Sequence, residues 1–480
     1  MSLELPDLVR AADVGAWSDE VDVLVVGFGI AGSCAAVAAA DAGARVLVID
    51  RGGQGSCTTA LAGGHFYLGG GTPVQQATGH HDTPEAMYAY LHAVSPEPDE
   101  AKLRLYCDGS VEHFGWLERQ GVPFERSYYP GKAVIQPGTE GLMYTGNELV
   151  WPFRGVAEPA PRGHKVAVAG DTGGASLVVE LMAKRLASES VEVRYETGAT
   201  ALVVDGRRVA GAAWRRFGDT GFVRARTVVL AAGGFVMNEQ MVAEFVPQLT
   251  TAAYPLGTTY DDGLGIRLGQ SAGGAVRRMG GAFYSSPFYP PAELLQGIIV
   301  NADGERFVAE DSYHGRTADA VFGQPGNTAF LVLDSESMAT PKYGLTTLID
   351  GWESVAGMAA ALGTPELERT LQRYNAEAAR GEDSQLHKHP AWLKPLNVGP
   401  WGAYDLTPGR ASYVGFTLGG LRTSVDGEVL DDGGSPVAGL YAAGACASNI
   451  AQDSSGYASG TQLGEGSYFG RRVGEHAARG

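Results

Sequence analysis

A chain of 480 residues, 44% of them hydrophobic, is long enough for about three domains with real cores, and its 69 glycines follow no fixed period. The formal charge of −18 argues against nucleic acid or an anionic membrane as a partner. No apolar run reaches transmembrane length, MSLELPDLVRAADVG lacks the regions of a signal peptide, and Cys34, Cys57, Cys107 and Cys446 form no CxxC pair, which together predict a cytoplasmic protein with reduced thiols.

The first predicted elements are the most informative. Val21 to Arg51 reads VDVLVVGFGIAGSCAAVAAADAGARVLVIDR, a β-α-β unit with Gly27, Gly29 and Gly32 at its first turn and Asp50 closing its second strand. Gly27 permits the tight turn, Gly29 lets a pyrophosphate approach the backbone, and Gly32 allows close helix-strand contact. The helix start offers free N–H groups to the phosphates, and Asp50 can take the ribose hydroxyls. Dinucleotide binding follows from strand, turn, helix, strand and acid falling in order. The unit occurs once, since GLGIRLG (Gly263 to Gly269) has the wrong spacing and no apolar strand before it. A single unit favours FAD, with electrons exchanged through the substrate or a separate acceptor. The strand-turn segments TVVLAAGGF (Thr227 to Phe235) and GLYAAG (Gly439 to Gly444) can bring further amides to an extended cofactor.

Arg51 to Thr72 reads as a loop that hugs the cofactor. Helices are predicted over Pro84–Ala93, Asp99–Gln120 and Leu177–Ser188, with an irregular stretch rich in aromatics between the last two. Val191 to Val229 alternates strands about a hairpin near Asp205 and Gly206. A proline-rich crossing, FYSSPFYPP (Phe283 to Pro291), then opens a region with one clear helix, Pro365–Arg380, and cofactor-domain character returns at Tyr413 with a closing helix from about Thr461. The expected class is α/β: a Rossmann-like cofactor domain split into 1–280 and 411–480 around a smaller inserted α+β cap at 281–410. Ligand pockets favour such an interface.

Several segments in this order resemble the fumarate reductase/succinate dehydrogenase flavoprotein superfamily: TTALAGG (Thr58 to Gly64), GDTGGAS (Gly170 to Ser176), TTYDDGLGIRLGQSAGG (Thr258 to Gly274), GIIVNADGERFVAED (Gly297 to Asp311) and GYASGTQLGEG (Gly456 to Gly466). Within it, FYLGGGT, PRGHK, SYHGR and GYASG resemble the 3-ketosteroid Δ4-(5α)-dehydrogenases. The likeness implies FAD contacts at Gly27, Gly29, Ala31, Gly32, Asp50, Arg51, Thr59, Ala60, Gly64, Gly233, Asp262, Gly444 and Leu463. Covalent members carry a histidine where this chain has Cys57, so FAD is expected to bind without a histidyl bond. Dicarboxylate reductases carry a His-Pro-Thr-like element and an arginine where this chain reads FYSSPFYPPAELLQGIIVN (Phe283 to Asn301), which implies an apolar, uncharged substrate.

Desaturation beside a ketone needs a base, a donor for the enolate oxygen and a hydride acceptor. By the resemblance Tyr457 hydrogen-bonds the ketone, Ser459 removes the proton and Tyr313 relays it outwards. A serine is a weak base alone, and a tyrosinate as direct base stays open. Tyr457 and Ser459 stand out because Gly456 and Gly460 flank them. His65, His80, His81 and His164 lack metal-ligand spacing, so no metal is expected. Glu465 reads as an acid in the early turns of a helix. Phe66, Tyr67, Tyr128, Tyr129, Tyr144, Trp151 and Phe153 fit either a ligand wall or core packing, while Arg410, Arg422 and Arg471 read as surface or phosphate-side charges. The alternatives are a Δ1-dehydrogenase, an enoate reductase of fumarate-reductase type, and a flavin redox sensor or assembly subunit.

Overall fold

A computed structural model describes residues 4–189, 191–286 and 288–480. The strand Asp19–Val26 pairs in parallel with Val46–Ile49 on one side and with the long strand Asp219–Leu230 on the other. Between the first two runs the helix Ile30–Asp41, in which every residue from Ile30 to Ala39 is buried. A helix apolar all round belongs in a core, and Ala and Gly keep it thin enough to be covered on both sides.

The strand Asp219–Leu230 joins the two separated parts of the sequence. Its first half pairs antiparallel with Arg208–Arg216, the hairpin partner of Gly198–Asp205, while Val228 to Leu230 pair in parallel with Leu440 to Ala442. The chain thus returns to its first sheet after residue 413, which makes the cofactor domain a split one. The helix Thr461–Ala477 closes it by lying against Ile30–Asp41. Cβ atoms added at Gly470 and Gly474 would stand 2.4 Å from the Ala31 carbonyl oxygen and 2.1 Å from that of Ala35, so the two helices meet backbone to backbone.

The intervening region forms a four-stranded antiparallel sheet in the order 298–301, 329–333, 401–405, 348–352. Side chains alternate across it as the pleat dictates. Ile298, Val300, Phe330 and Val332 pack under Leu371 and Tyr374, while Ile299, Leu331 and Leu333 face the main core. A buried cluster braces this unit: Arg306 donates to Glu310 at 2.8 and 2.9 Å and to Asp383 at 3.0 Å, and Lys388 stands 3.4 Å from Glu310.

The helix expected over Pro365–Arg380 spans Leu367–Ala378, but it is one of three α-helices among the described residues of this region, with His314–Phe322 and Val355–Leu362. Val355–Leu362 reads VAGMAAAL, too uniformly apolar for a helical period to show, and His314–Phe322 is short with few apolar residues. The stretch 128–174 is also less irregular than expected: Gly163–Lys165 pairs with Leu142–Met143 and His65–Tyr67. Strands this short leave no alternation to read.

Gly474→Leu forces its side chain into the Ala35 backbone, and overpacking of a core contact costs about 1–3 kcal/mol or more. The expected outcome is a clear fall in Tm in a thermal melt. An unchanged Tm would mean that the two helices are not in backbone contact.

Candidate active site

The cofactor cradle is built from turns that only glycine can make. Gly27 has φ of 105°, and a Cβ there would stand 2.3 Å from the Ala231 carbonyl oxygen. The ends of the strands Asp19–Val26 and Asp219–Leu230 stay joined, the Ala231 N–H donating to the Val26 carbonyl at 2.8 Å, and so form a wall of close-set backbone at the head of the cavity. Gly233, with φ of 83°, and Gly444, with φ of 64°, complete that wall. Thr59 Oγ1 accepts the Ile30 N–H at 2.9 Å, which satisfies one of the first free amides of the helix. Asp50 accepts the Phe28 N–H at 2.5 Å on one oxygen and the Gly52 N–H at 2.7 Å on the other. Burial pushes its carboxyl up from the usual range and the two amides oppose this. Each oxygen keeps a lone pair for a hydroxyl.

One continuous cavity runs from this cradle to the inserted unit. Of the assigned cofactor residues, Gly27, Gly29, Ala31, Asp50, Arg51, Thr59, Gly233, Gly444 and Leu463 line it. Gly32, Ala60, Gly64 and Asp262 are not among its lining residues. A Cβ on Gly32 would meet the Gly27 carbonyl oxygen at 2.0 Å, so this glycine serves helix-strand contact. Gly64 has φ of 93° and packs on Gly174. Ala60 sits in the turn Thr58–Leu61, whose Thr58, Thr59 and Leu61 line the cavity. Asp262 accepts from Arg51 at 2.8 Å, and the adjacent Asp261, hydrogen-bonded by the Thr58 hydroxyl, forms the wall instead. Nothing in the dipeptide Asp261-Asp262 told the two apart.

At the far end the antiparallel strands Ala282–Ser285 and Tyr413–Thr417 set Phe283 opposite Phe416, with ring centroids 4.9 Å apart. Tyr457 lies 4.6 Å from the Phe283 ring. The Tyr313 and Ser459 hydroxyls are 2.8 Å apart, and the Tyr313 and Tyr457 rings 6.4 Å apart. All three candidate catalytic residues line the cavity.

Local structure explains the convergence. Tyr313 caps the helix His314–Phe322, and its N–H donates to Asn147 Oδ1 at 2.8 Å. Asn147 Nδ2 donates in turn to the Ser455 carbonyl at 3.2 Å, and the Ser459 N–H to the Thr145 carbonyl at 2.9 Å. Gly456 and Gly460 admit this loop close to other backbone: added Cβ atoms would lie 2.2 Å from the Val94 carbonyl oxygen and 2.8 Å from the Tyr67 nitrogen. Burial pushes both phenols well above their ordinary range, reinforced at Tyr313 by Tyr457. Both are neutral hydrogen-bond donors at neutral pH.

Phe283, Val414, Phe416, Val134 and Ile135 line the cavity with them, and Arg51 is its one lysine or arginine among the described residues. Arg51 lies at the cradle, held by Asp262 and the Tyr260 carbonyl. Of the aromatics weighed as a ligand wall, none lines this cavity; Phe66 and Tyr67 are fully buried core residues. Among the histidines His65 lines it, hydrogen-bonded to Gln136 and pushed down to about 4 by burial, while His164 bonds Thr72 in the core. His314, not singled out in the sequence, also lines it; it bonds Ser285 at 2.8 Å and burial lowers it to about 3. Cys57 lines the cavity as a free thiol that burial holds protonated. Arg410 pairs with Asp405, and Arg471 with Glu112 and Glu475, and none of Arg410, Arg422 and Arg471 lines the cavity. Among the described residues no group of three or more His, Cys, Asp or Glu side chains is set to hold a metal, and no helix is long and apolar enough to cross a membrane.

Comparison with known proteins agrees with the geometry. The model of a family described as FAD binding domain matches residues 22–466. A 3-oxo-5-alpha-steroid 4-dehydrogenase of Comamonas testosteroni is 30% identical, over 91% of this chain and 94% of its own length. The crystal structure of a 3-ketosteroid-delta4-(5alpha)-dehydrogenase from Rhodococcus jostii, in complex with 4-androstene-3,17-dione, is 39% identical with a TM-score of 0.93, covering 98% of this chain and 99% of that one. A 3-ketosteroid delta1-dehydrogenase from Sterolibacterium denitrificans, 20% identical with a TM-score of 0.73 over 96% of this chain and 100% of that one, shares the fold.

The cradle fits FAD, because Gly27, Gly233 and Gly444 line the cavity at positive φ, and a side chain at any of them would strike the Ala231 backbone, Asp261 or Ala31 from which its wall is built. Gly27→Ala adds a methyl where backbone already stands and at a φ that alanine disfavours. The variant is expected to purify with at least about tenfold less flavin, read from its visible absorbance. Full occupancy would mean that the phosphates do not pass this turn.

Proposed function

Because the chain belongs to the FAD binding domain family, we propose that it desaturates a 3-ketosteroid between carbons 4 and 5 of a 5α-substrate. The observation that carries the reading is the 2.8 Å bond between Tyr313 and Ser459, beside Tyr457, in an apolar end of the cofactor cavity. The Comamonas and Rhodococcus relatives, named for steroid 4-dehydrogenation, support it. A dicarboxylate substrate is disfavoured, since the one arginine that lines the cavity among the described residues is engaged at the cradle.

Bound FAD supplies the hydride acceptor for carbon 5. The protein supplies the rest. The Tyr457 phenol donates to the ketone oxygen and strengthens that bond as negative charge develops there. Ser459 Oγ takes the proton from carbon 4 while its own hydrogen passes to the Tyr313 oxygen, whose proton leaves outwards. A standing phenolate at Tyr313 is disfavoured because burial and Tyr457 both raise its pKa. A concerted relay avoids creating that charge. Phe283 and Phe416 keep water from the reacting carbons.

The domain limits belong to the same reading: 1–280 and 411–480 for the cofactor domain and 281–410 for the cap. They are supported by the pairing of Ala282–Ser285 with Tyr413–Thr417, which sets both ends of the insert side by side. A separate electron acceptor reoxidises the flavin, and the four free cysteines suit the cytoplasm.

Incubation with a 5α-reduced 3-ketosteroid and an artificial acceptor is expected to give the 4-ene product. Desaturation at carbons 1 and 2 alone would overturn the assignment. Loss of a general base costs about 10²- to 10⁴-fold in rate, so Ser459→Ala is expected to keep its flavin and lose turnover by that factor. Turnover near wild type would remove Ser459 from the chemistry.

A further inference from the structure

Behind the loop that carries Tyr457 lies a second set of buried charges that no step above uses. Glu465, expected from the sequence to be an acid of the helix's early turns, is 1% exposed. Its Oε2 accepts the N–H groups of Ile450 at 2.7 Å and Ala451 at 3.0 Å. Lys102, 2% exposed on the helix Glu100–Arg119, holds the residues just before them: its ammonium donates to the Ser448 carbonyl at 3.3 Å, Asn449 Oδ1 at 3.1 Å and Thr423 Oγ1 at 2.8 Å. Arg278 adds a bond to the Asn449 carbonyl at 3.1 Å. The segment Ser448–Ala451 is thus clamped by one buried carboxylate and one buried ammonium from two different helices. Ala451 packs in the small apolar cluster of Tyr457, Phe283 and Tyr313.

We propose that Glu465 is a positioning residue: its carboxylate, aided by Lys102, fixes the backbone at Ile450 and Ala451 and so sets the height of Tyr457 over the ketone. This rests on the steroid reading above. Hydrogen bonds to a charged acceptor are about twice as strong as neutral ones, so the clamp depends on the carboxylate being ionised. Burial pushes Glu465 up to about 7 against the pull of the two amides, Lys102 and Arg278, and brings Lys102 down to about 8. The charged and titratable groups around the carboxylate are Lys102 and Tyr106 from the helix Glu100–Arg119, Arg278 from the neighbouring turn and Tyr457 from its own loop, with Asp99 and Arg277 near Lys102. With its pKa raised to about 7, Glu465 loses its charge as pH falls through neutrality. Turnover then acquires an acid limb there.

Glu465→Gln keeps the shape and an acceptor oxygen but removes the charge. Two measurements on the flavin-loaded protein test it: amide hydrogen exchange across 448–458, and kcat for a 5α-3-ketosteroid against pH. The expected result is exchange at residues 450 and 451 faster by about tenfold, with the acid limb near neutrality gone and kcat fixed near its low-pH value. Wild-type exchange, or an acid limb kept in the variant, overturns the proposal. Should Glu465→Gln fail to fold, Lys102→Met serves instead: loss of the ammonium is expected to move the limb up by about one pH unit, and an unmoved limb overturns the proposal. Exchange is measured without substrate, so faster exchange in Glu465→Gln alongside a wild type that turns over no ketosteroid would sink the substrate reading while leaving the clamp standing.

Discussion

The backbone contact between the closing helix and the dinucleotide helix is the constraint on which the site depends. Gly470 and Gly474 let Thr461–Ala477 lie directly on Ala31 and Ala35. That contact fixes the start of the closing helix, where Gly460 is pressed against the Tyr67 backbone and Leu463 reaches the cavity. Residues separated by more than four hundred positions become one surface. The glycine turn at Gly27 and the pair Tyr457 and Ser459 can share a cavity because no side chain separates the two helices at Gly470 and Gly474. Side chains larger than alanine would push the axes apart and carry the candidate catalytic loop away from the cofactor.

A second constraint is the division of charge along the cavity. At the cradle Asp50, Asp261 and Arg51 stand among backbone amides suited to phosphates and ribose. At the other end the apolar lining is broken by the hydroxyls of Tyr313, Tyr457 and Ser459 and by the neutral imidazoles of His314 and His65, with Gln462 and Asp171, the latter paired with Lys342, also on the wall. A dry pocket of this kind suits a flat, uncharged ketone and raises the value of each aimed hydroxyl, since hydrogen bonds to developing charge strengthen where water is excluded. It also explains why the buried charges Glu465 and Lys102 sit one layer back, where they act on backbone.

The sequence made the cradle legible because its chemistry is local: Gly27, Gly29, Ala31 and Asp50 lie within one β-α-β unit whose spacing carries the geometry. The split of the cofactor domain was legible through the return of strand-turn character at Gly439 to Gly444. Tyr313 and Ser459 were legible only through resemblance, for their 2.8 Å bond joins residues 146 positions apart, one inside the insert and one beyond it, and no local period encodes it. What escaped was set by tertiary packing. Asp261 and Asp262 are adjacent, and the pairing of Asp262 with Arg51 decides which faces the cavity. Phe66 and Tyr67 read as either wall or core, and burial made them core, while Phe283 and Phe416 became the wall through strand pairing. Glu465 has an ordinary sequence setting; its role appears only once Ile450 and Ala451 fold back over it.

In the proposed reaction carbon 5 faces the hydride acceptor while Ser459 stands at carbon 4. Anaerobic stopped-flow measurement of flavin bleaching, with a 5α-3-ketosteroid carrying deuterium at carbon 5, tests it most directly. Rapid bleaching, slowed severalfold by the label, is expected. Bleaching at an unchanged rate with the labelled steroid, or no bleaching by any 3-ketosteroid at full FAD occupancy, would contradict it.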